Sequence, residues 1–307
     1  MTAVATPVRG TRVTRAVGLV AVACALALAA GCAGPAGTDG DLTDDWAAMP
    51  APKPYQPTAP ACFTDDLQAS IRLPEPVDCQ RGHRMETFFS GTFTGADAAR
   101  TTTPPTGSAE RRRAFEQCMT ATTTFLGDDW RNGRLELTMT VASQQHWEGG
   151  GRWFRCDLVV RDENGYGDIA TRVASLKGTL AGDRPMARGC NPATENAANR
   201  IEFKPGVPCT QPHDAEYAGF FVAPDGAFPV DTASNKKLAD DGCRGVVAAY
   251  TGLPNDRYLN NRTGYLFDYF VAAQWALGDR SVGCYVWPRV SVSRSLKGAG
   301  PGALPIK

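Results

Sequence analysis

The sequence predicts an α+β protein made of two tandem repeats of a small disulfide-bonded module, each with one main helix packed on a short antiparallel sheet. Three observations lead to this prediction. Eight cysteines form two sets of four with similar spacing, and other residues recur at the same offset of about 128 residues. Each half also contains one helical pattern and several strand patterns.

The cysteines give the clearest sign of duplication. Of the 10 cysteines, Cys24 and Cys32 lie in the N-terminal region. The other eight are Cys62, Cys79, Cys118, Cys156, Cys190, Cys209, Cys243 and Cys284. An even number in an exported chain is typical of a disulfide framework. Because no cysteine is left over for thiolate ligation, no metal site is expected.

Four cysteines allow three pairings in each module, and sequence alone does not choose among them. The favoured pairs are Cys62–Cys79, Cys118–Cys156, Cys190–Cys209 and Cys243–Cys284. The first and third pairs are separated by hairpin-sized distances in the sequence. The second and fourth pairs would join a helix to a strand and so hold the helix on the sheet.

Other residues follow the cysteine offset. The matches are Cys79-x3-His83-x2-Glu86 with Cys209-x3-His213-x2-Glu216, Phe93 with Phe221, Phe125-Leu-Gly127 with Tyr250-Thr-Gly252, Trp147 with Trp275, and Ser175-Leu-Lys-Gly178 with Ser295-Leu-Lys-Gly298. We therefore place module one at residues 62–185 and module two at residues 186–307.

Local patterns predict the main elements. Ser108 is a suitable helix start, Gly127 a suitable end, and apolar residues fall at helical spacing between them. The second module repeats this pattern before Gly252. Strands are predicted at residues 135–141, 153–160 and 282–287, from alternation and from β-branched and aromatic content.

The N-terminus predicts export and anchoring. Three arginines precede an apolar run over residues 17–30, which suits a signal peptide of residues 1–31. Small residues stand directly before Cys32, as in a bacterial lipoprotein box, so Cys32 is the expected site of acylation, palmitate included. Residues 32–61 are rich in proline and suit a semi-rigid tether. We expect the protein on the extracytoplasmic face of the cell membrane, held by its lipid anchor.

Charge and motifs exclude several classes of protein. The 32 basic and 32 acidic residues balance, and no basic stripe indicates nucleic-acid binding. Neither a nucleophile motif nor a glycine-rich phosphate loop is present, so we expect no cofactor and no enzymatic activity.

The motif set resembles the septum-formation domain family of actinobacterial envelope proteins. The resemblance rests on the signal cysteine, Cys-x3-His-x2-Glu, the helix cysteine and Gln274-Trp275 with Gly278-Asp279-Arg280. Module one carries an altered form, Gln145-His146-Trp147, followed by three glycines and Arg152. The resemblance covers about residues 60–300 and implies a part in septum assembly without a defined chemistry.

The two His-x2-Glu pairs, His83 with Glu86 and His213 with Glu216, are the candidate functional residues. A histidine held by a carboxylate has the makings of a general base. The alternative, which we favour, is that these residues fix the fold, since both modules keep them. Trp130 and Tyr258, in polar stretches after the helices, are the aromatic residues expected to face a ligand.

These observations favour a binding or scaffold protein of the cell envelope, linked to septum formation or cell division. Its expected partners are division proteins, cell-wall proteins or the wall polymer. A wall-active hydrolase that uses a His-x2-Glu pair and an extracytoplasmic sensor are the alternatives.

Overall fold

A computed structural model describes residues 53–65, 75–161, 168–195 and 201–307. Pro54–Lys307 form one compact unit. The predicted signal peptide, Cys32 and the first part of the predicted tether lie outside the described residues. None of the described helices is both long enough and apolar enough to cross a membrane.

Four antiparallel strands in the order β1-β2-β4-β3 form the first sheet. They are β1 (Ala61–Phe63), β2 (Met85–Thr92), β3 (Leu135–Val141) and β4 (Trp153–Val160). Every residue of β4 is buried, since β2 and β3 cover its two edges and apolar clusters cover its faces. Three helices belong to this half: α1 (Gly95–Ala98), α2 (Ala109–Leu126) and α3 (Gln144–Glu148).

Helix α2 has the predicted bounds. The Ser108 hydroxyl accepts a hydrogen bond from the Arg111 N–H at 3.3 Å and so satisfies a free donor of the first turn. Gly127 ends the helix in the left-handed conformation, with φ of 91°, which glycine adopts without strain. The buried face is Ala114, Phe115, Cys118, Thr122 and Leu126.

The second sheet has the order β5-β8-β10-β9 and is also antiparallel. Its strands are β5 (Cys190–Asn191), β8 (Ala215–Val222), β9 (Gly264–Phe267) and β10 (Ser281–Trp287). A two-stranded ribbon adds β6 (Ala193–Glu195) and β7 (Ile201–Phe203). Sequence patterns predicted only β3, β4 and β10, and missed this ribbon together with β1, β2, β5, β8 and β9.

The main helix of the second half is α4 (Thr232–Thr251). The Asp231 carboxylate accepts a hydrogen bond from the Ser234 N–H at 2.8 Å at its start, and Gly252 ends it with φ of 70°. Three short helices follow: α5 (Leu259–Arg262), α6 (Ala272–Leu277) and α7 (Gly300–Ala303).

Four disulfides join the eight cysteines in the predicted pairs. Cys118–Cys156 joins α2 to β4, and Cys243–Cys284 joins α4 to β10, with Cα atoms 5.5 and 5.3 Å apart. Cys62–Cys79 and Cys190–Cys209 close shorter segments ahead of β2 and β8. The helix-to-strand disulfides lie in the centre of the two apolar cores, where all four of their cysteines are fully buried.

The two halves of the compact unit meet at the 3₁₀ turn Trp130–Asn132. The Arg131 guanidinium donates to the Asp279 carboxylate at 2.8 Å and to the Ser281 hydroxyl at 2.8 Å. The Tyr217 hydroxyl donates to the Arg131 carbonyl at 2.8 Å. Trp130 is 8% exposed and belongs to the first core, so the expectation that it faces a ligand is wrong. The polar sequence around Trp130 reflects this junction rather than solvent.

Candidate functional site

The first His-x2-Glu pair lies where the chain enters β2. The His83 N–H donates to the Arg172 carbonyl, and the Arg172 N–H donates to the His83 carbonyl, each at 2.9 Å. The Arg172 guanidinium lies 2.8 Å from Nε2 of His83. A guanidinium can only donate, so Nε2 accepts and Nδ1 carries the proton that it donates to the Arg81 carbonyl at 2.8 Å. These hydrogen bonds therefore place the ring proton of His83 on Nδ1.

Glu86, the acidic residue of this network, is fully buried. Its carboxylate accepts hydrogen bonds from the Ser175 hydroxyl at 2.5 Å and the Leu176 N–H at 2.7 Å. Arg172 adds an ion pair at 3.3 Å. Burial lowers the pKa of Arg172 and the Glu86 carboxylate opposes that shift, so the guanidinium remains the charged partner. The carboxylate thereby ties β2 to the Ser-Leu-Lys-Gly turn.

The second pair repeats part of this geometry. His213 exchanges backbone hydrogen bonds of 2.9 Å with Val292, and its Nδ1 lies 2.8 Å from the Gln211 carbonyl. The Glu216 carboxylate accepts from the Leu296 N–H at 2.6 Å and from the Ser295 hydroxyl. Nε2 of His213 is buried and has no hydrogen-bond partner among the described residues, because valine stands where the first half has Arg172.

A different donor replaces the missing arginine. The Tyr250 hydroxyl, near the end of α4, donates to the Glu216 carboxylate at 2.5 Å. Burial, followed by the neighbouring carboxylate, raises the pKa of Tyr250 well above its usual value, which keeps the hydroxyl protonated as a donor. The matching residue of α2 is Phe125: the carbonyls of Phe125 and Tyr250 accept from Gly178 and Gly298 at 2.9 and 2.8 Å. One glutamate is thus neutralised by a cation and the other is held by neutral donors.

Access decides what the four residues can do chemically. His83 and His213 are each 1% exposed, Glu86 is 0% exposed and Glu216 is 2% exposed. A general base must come within hydrogen-bond reach of a substrate proton. Nε2 of His83 and both carboxylates accept hydrogen bonds from donors within the protein, and Nε2 of His213 is buried without a partner among the described residues. The geometry therefore favours the role of fixing each strand to its turn.

Two groups of residues bring metal-type ligand atoms within 4.8 Å of one another: Cys62, His83 and Glu86, and Cys190, Cys209 and Glu216. Their cysteine sulfurs are all bonded in disulfides. Metals bind the thiolate form of cysteine, which a disulfide sulfur does not offer. The donor set that remains is too small for a structural zinc site, which takes four ligands.

The Gln-Trp motif also has structural contacts. The indole N–H of Trp275 donates to the Gly226 carbonyl at 3.0 Å, and that of Trp147 donates to the Arg100 carbonyl at 2.8 Å. Gly278 ends α6 with φ of 101°. Asp279, the next residue, binds Arg131 across the junction of the two halves. Sequence analysis found this motif without finding its partner, because Arg131 is distant in the chain and no local pattern links it to Asp279.

Asp268 forms a second polar cluster with Arg188 near the junction. Burial raises the pKa of the Asp268 carboxyl to about 7, although a hydrogen bond from the Gly283 N–H acts to lower it. The Arg188 guanidinium lies 3.7 Å from this carboxyl and donates to the Tyr285 hydroxyl at 2.6 Å. Sequence reasoning did not select these residues. Tyr258, the other aromatic residue expected to face a ligand, is 38% exposed.

Comparison with known proteins gives one match. The family model for septum formation matches residues 59–284, a single stretch that includes the first four-stranded sheet and ends within β10 of the second. Neither the curated proteins nor the solved structures contain a match to the chain.

Proposed function

We propose that this chain, which belongs to the septum-formation family, is an extracytoplasmic, lipid-anchored binding or scaffold protein of the cell envelope. Its family membership indicates a role linked to septum formation. We propose in addition that the protein is lipid-anchored, that it acts as a scaffold and that it is not an enzyme.

The observation that carries the proposal is the burial of both His-x2-Glu pairs. These are the candidate catalytic residues, and all four side chains are enclosed, at most 2% exposed. Catalysis requires reactive groups that converge on a space open to substrate. Residues that link a strand to a turn instead stiffen the protein, and a rigid surface loses less conformational entropy when it binds a partner. This supports a binding role over hydrolysis.

Two tandem modules are the second part of the proposal. Each half has a four-stranded antiparallel sheet with its two long strands in the middle, one long helix, and two disulfides in matching places. In each half the histidine also forms an isolated β-bridge with a residue three positions before the Ser-Leu-Lys-Gly turn. The glutamate accepts hydrogen bonds from the Ser and Leu of that turn. Duplication of one ancestral module explains these matches most simply.

The anchor follows from the sequence ahead of the compact unit. Signal-like residues end at Cys32, and prolines follow up to Pro60. Several acyl chains on one residue hold a protein on a bilayer durably. Four disulfides suit an oxidising extracytoplasmic compartment.

The anchor is tested by Cys32→Ser, with Cys24→Ser as the matched control inside the predicted signal peptide. Metabolic labelling with an alkyne fatty acid should mark the wild type and the control, while Cys32→Ser should stay unlabelled and appear in the medium. Equal labelling of both variants would contradict a lipid anchor at Cys32.

The role is tested by complementation. A deletion strain should divide with misplaced or delayed septa, and wild-type protein should restore normal septum spacing under the microscope. The double variant His83→Asn with His213→Asn separates stiffening from chemistry. A lowered melting temperature with activity in proportion to the folded fraction supports the structural role. Normal melting with total loss of rescue would favour chemistry at the histidines.

A further inference from the structure

A cavity of about 580 Å³ runs along the free edge of the first sheet. Its lining includes every residue from 136 to 143, which are most of β3 and the two residues that follow. One face of a strand contributes only alternate residues to a surface. An unbroken run therefore means that the cavity follows the edge of β3, and Met85, Asp157 and Val159 of the neighbouring strands extend it over one face of the sheet. We call this cavity the β3 groove.

The backbone of β3 is open toward the groove. At the two ends of the β3–β4 ladder, the Ala142 N–H donates to the Trp153 carbonyl and the Arg161 N–H donates to the Arg134 carbonyl. Hydrogen-bonded and non-hydrogen-bonded positions alternate along an antiparallel pair. The even-numbered residues of β3 thus bond to β4. The N–H and C=O groups that point away from β4 belong to Leu135, Leu137, Met139 and Val141. Among the described residues no other strand pairs with this edge.

The second half supplies a wall beside this edge. Val271, Ala273, Gln274 and Leu277, in and next to α6, line the groove opposite β3. Leu277 packs against the first core, and the Arg112 guanidinium donates to the Ala276 carbonyl at 3.3 Å, which holds the wall in place. A groove between a sheet edge and a helix accepts one extended strand more readily than the edge of another sheet.

Two polar side chains at the groove are incompletely paired. The Arg111 guanidinium donates from Nε to the Pro104 carbonyl at 2.6 Å, and no carboxylate of the described residues pairs with it. Oε1 of Gln274 is buried without a hydrogen-bond partner among those residues. Of the two acidic residues that line the groove, Glu136 is already paired with Arg161 and Asp157 with Arg155. The uncompensated charge of the groove is therefore positive, and it lies at the Arg111 end.

We propose that the β3 groove binds an extended acidic peptide segment of a partner protein, which adds as a strand to β3 and places a carboxylate against Arg111. This inference rests on the proposed binding function and specifies the chemistry of the partner. Backbone hydrogen bonds to the free edge supply affinity in such complexes, and side-chain contacts supply specificity. Val271, which is 57% exposed, offers apolar contact to the added strand.

The test uses the full-length, disulfide-bonded protein and a phage-displayed library of random octapeptides. Selection should enrich peptides that share an acidic residue and β-branched residues at alternate positions. A synthetic peptide from the selection, labelled with fluorescein, is then titrated by anisotropy. Arg111→Gln should weaken binding by about tenfold, and replacing the acidic residue of the peptide by its amide should have the same effect. Combined, the two changes should cost no more than either alone. Arg113→Gln, on the exposed Asp97 pair, is the control variant.

The backbone pairing has its own probe. Two forms of the peptide are made, each N-methylated at every second amide, one form for each edge of the peptide strand. One form should bind as the parent does and the other should not bind, because only one edge faces β3. Met139→Pro, which removes an outward N–H, should lose binding of the parent peptide.

Three results would overturn the inference. The first is a selection without enrichment of acidic peptides, and the second is equal binding or equal loss for the two N-methylated forms. The third is a concentration-dependent dimer in sedimentation that Met139→Pro abolishes, which would assign the edge to a second copy of this chain. Full rescue of septation by Arg111→Gln would show that septum formation does not need the groove, and the scaffold proposal would stand. If deletion of the protein leaves septa normal while the groove binds acidic peptides, the proposed septum role fails and the groove proposal stands.

Discussion

Arg172 donates a hydrogen bond to Nε2 of His83 at 2.8 Å while it forms an ion pair with Glu86 at 3.3 Å. One partly buried cation thus contacts both members of the first His-x2-Glu pair. The second half has Val292 at the corresponding position, and its glutamate takes a hydrogen bond from Tyr250 instead. The same fold therefore stabilises the same buried acid in two ways, which leads to different responses to mutation.

Glu86→Gln should destabilise the protein more than Glu216→Gln. The first change leaves the Arg172 cation, whose side chain is 11% exposed, without its counter-ion. A broken buried pair costs about 3–5 kcal/mol, and the partial exposure of Arg172 places the expected loss at the low end, about 3 kcal/mol. The partners of Glu216 include the hydroxyls of Tyr250 and Ser295, which can turn to accept from the new amide, so that loss should be about 1 kcal/mol. Urea unfolding of both variants measures the difference. Equal losses would show that the charge of Arg172 does not matter.

The two ways of stabilising the buried glutamate should be exchangeable between the two halves. Arg172→Val removes the cation and should lower the free energy of unfolding by about 2–4 kcal/mol because Glu86 is left with fewer donors. Adding Phe125→Tyr to that variant supplies the hydroxyl that Tyr250 provides in the second half, and should recover about 1–2 kcal/mol.

The control for this exchange is Phe125→Tyr alone. In the wild-type background the new hydroxyl meets a carboxylate that Arg172 already neutralises, so the change should be neutral or mildly destabilising. A double-mutant cycle from the four unfolding curves gives the coupling energy. Zero coupling would mean that residue 125 of α2 does not reach Glu86 as Tyr250 of α4 reaches Glu216.

The sequence predicted the parts of the fold that depend on local pattern. Ser108 and Gly127 mark the ends of α2 because capping is a property of the terminal residues themselves. Spacing and the helix-to-strand argument favoured one of three possible pairings in each half, and the structure has that pairing. Strands β5, β6 and β7, each two or three residues long, carry too few side chains for any periodicity.

The site was predicted only in outline. The residues His83, Glu86, His213 and Glu216 were found because they repeat, and a structural role was favoured. Their partners were not found, since Arg172 and Tyr250 lie far along the chain and differ between the two halves. Trp130 was misplaced for a related reason: its polar neighbour Arg131 is directed at the other half of the compact unit, and sequence shows charge but not what the charge faces.

The two disulfides of each half should differ in their effect on stability. Replacing both Cys118 and Cys156 by Ala removes a disulfide that closes a loop of 38 residues, and replacing Cys62 and Cys79 removes one that closes a loop of 17 residues. The loop-entropy relation gives losses of about 4 and about 3 kcal/mol. Thermal unfolding of the two double variants measures the order, and the added burial of Cys118–Cys156 in the core acts in the same direction. A larger loss from opening the shorter closure would contradict this entropic ranking.

Asp268 should make the protein less stable as the pH rises. Its pKa is about 7 in the folded protein, against a usual value of 3.8. Between these values the folded state binds the proton and the unfolded state does not, so the free energy of unfolding falls as pH increases from about 4 to 7. A rise of this size corresponds to at most about 4 kcal/mol. The Arg188 guanidinium and the 22% exposure of the Asp268 side chain both reduce that figure.

Asp268→Asn should remove this dependence and raise the stability at pH 8, because the amide oxygen can still accept from the Gly283 N–H and no charge has to be buried. Asp241→Asn is the control, since Asp241 lies in an exposed pair with Lys237, and it should leave the slope between pH 4 and 7 unchanged. Urea unfolding at several pH values measures both slopes. An Asp268→Asn protein that keeps the wild-type slope would show that another group titrates, and one less stable than the wild type at pH 8 would mean that the ionised carboxylate, paired with Arg188, stabilises the junction.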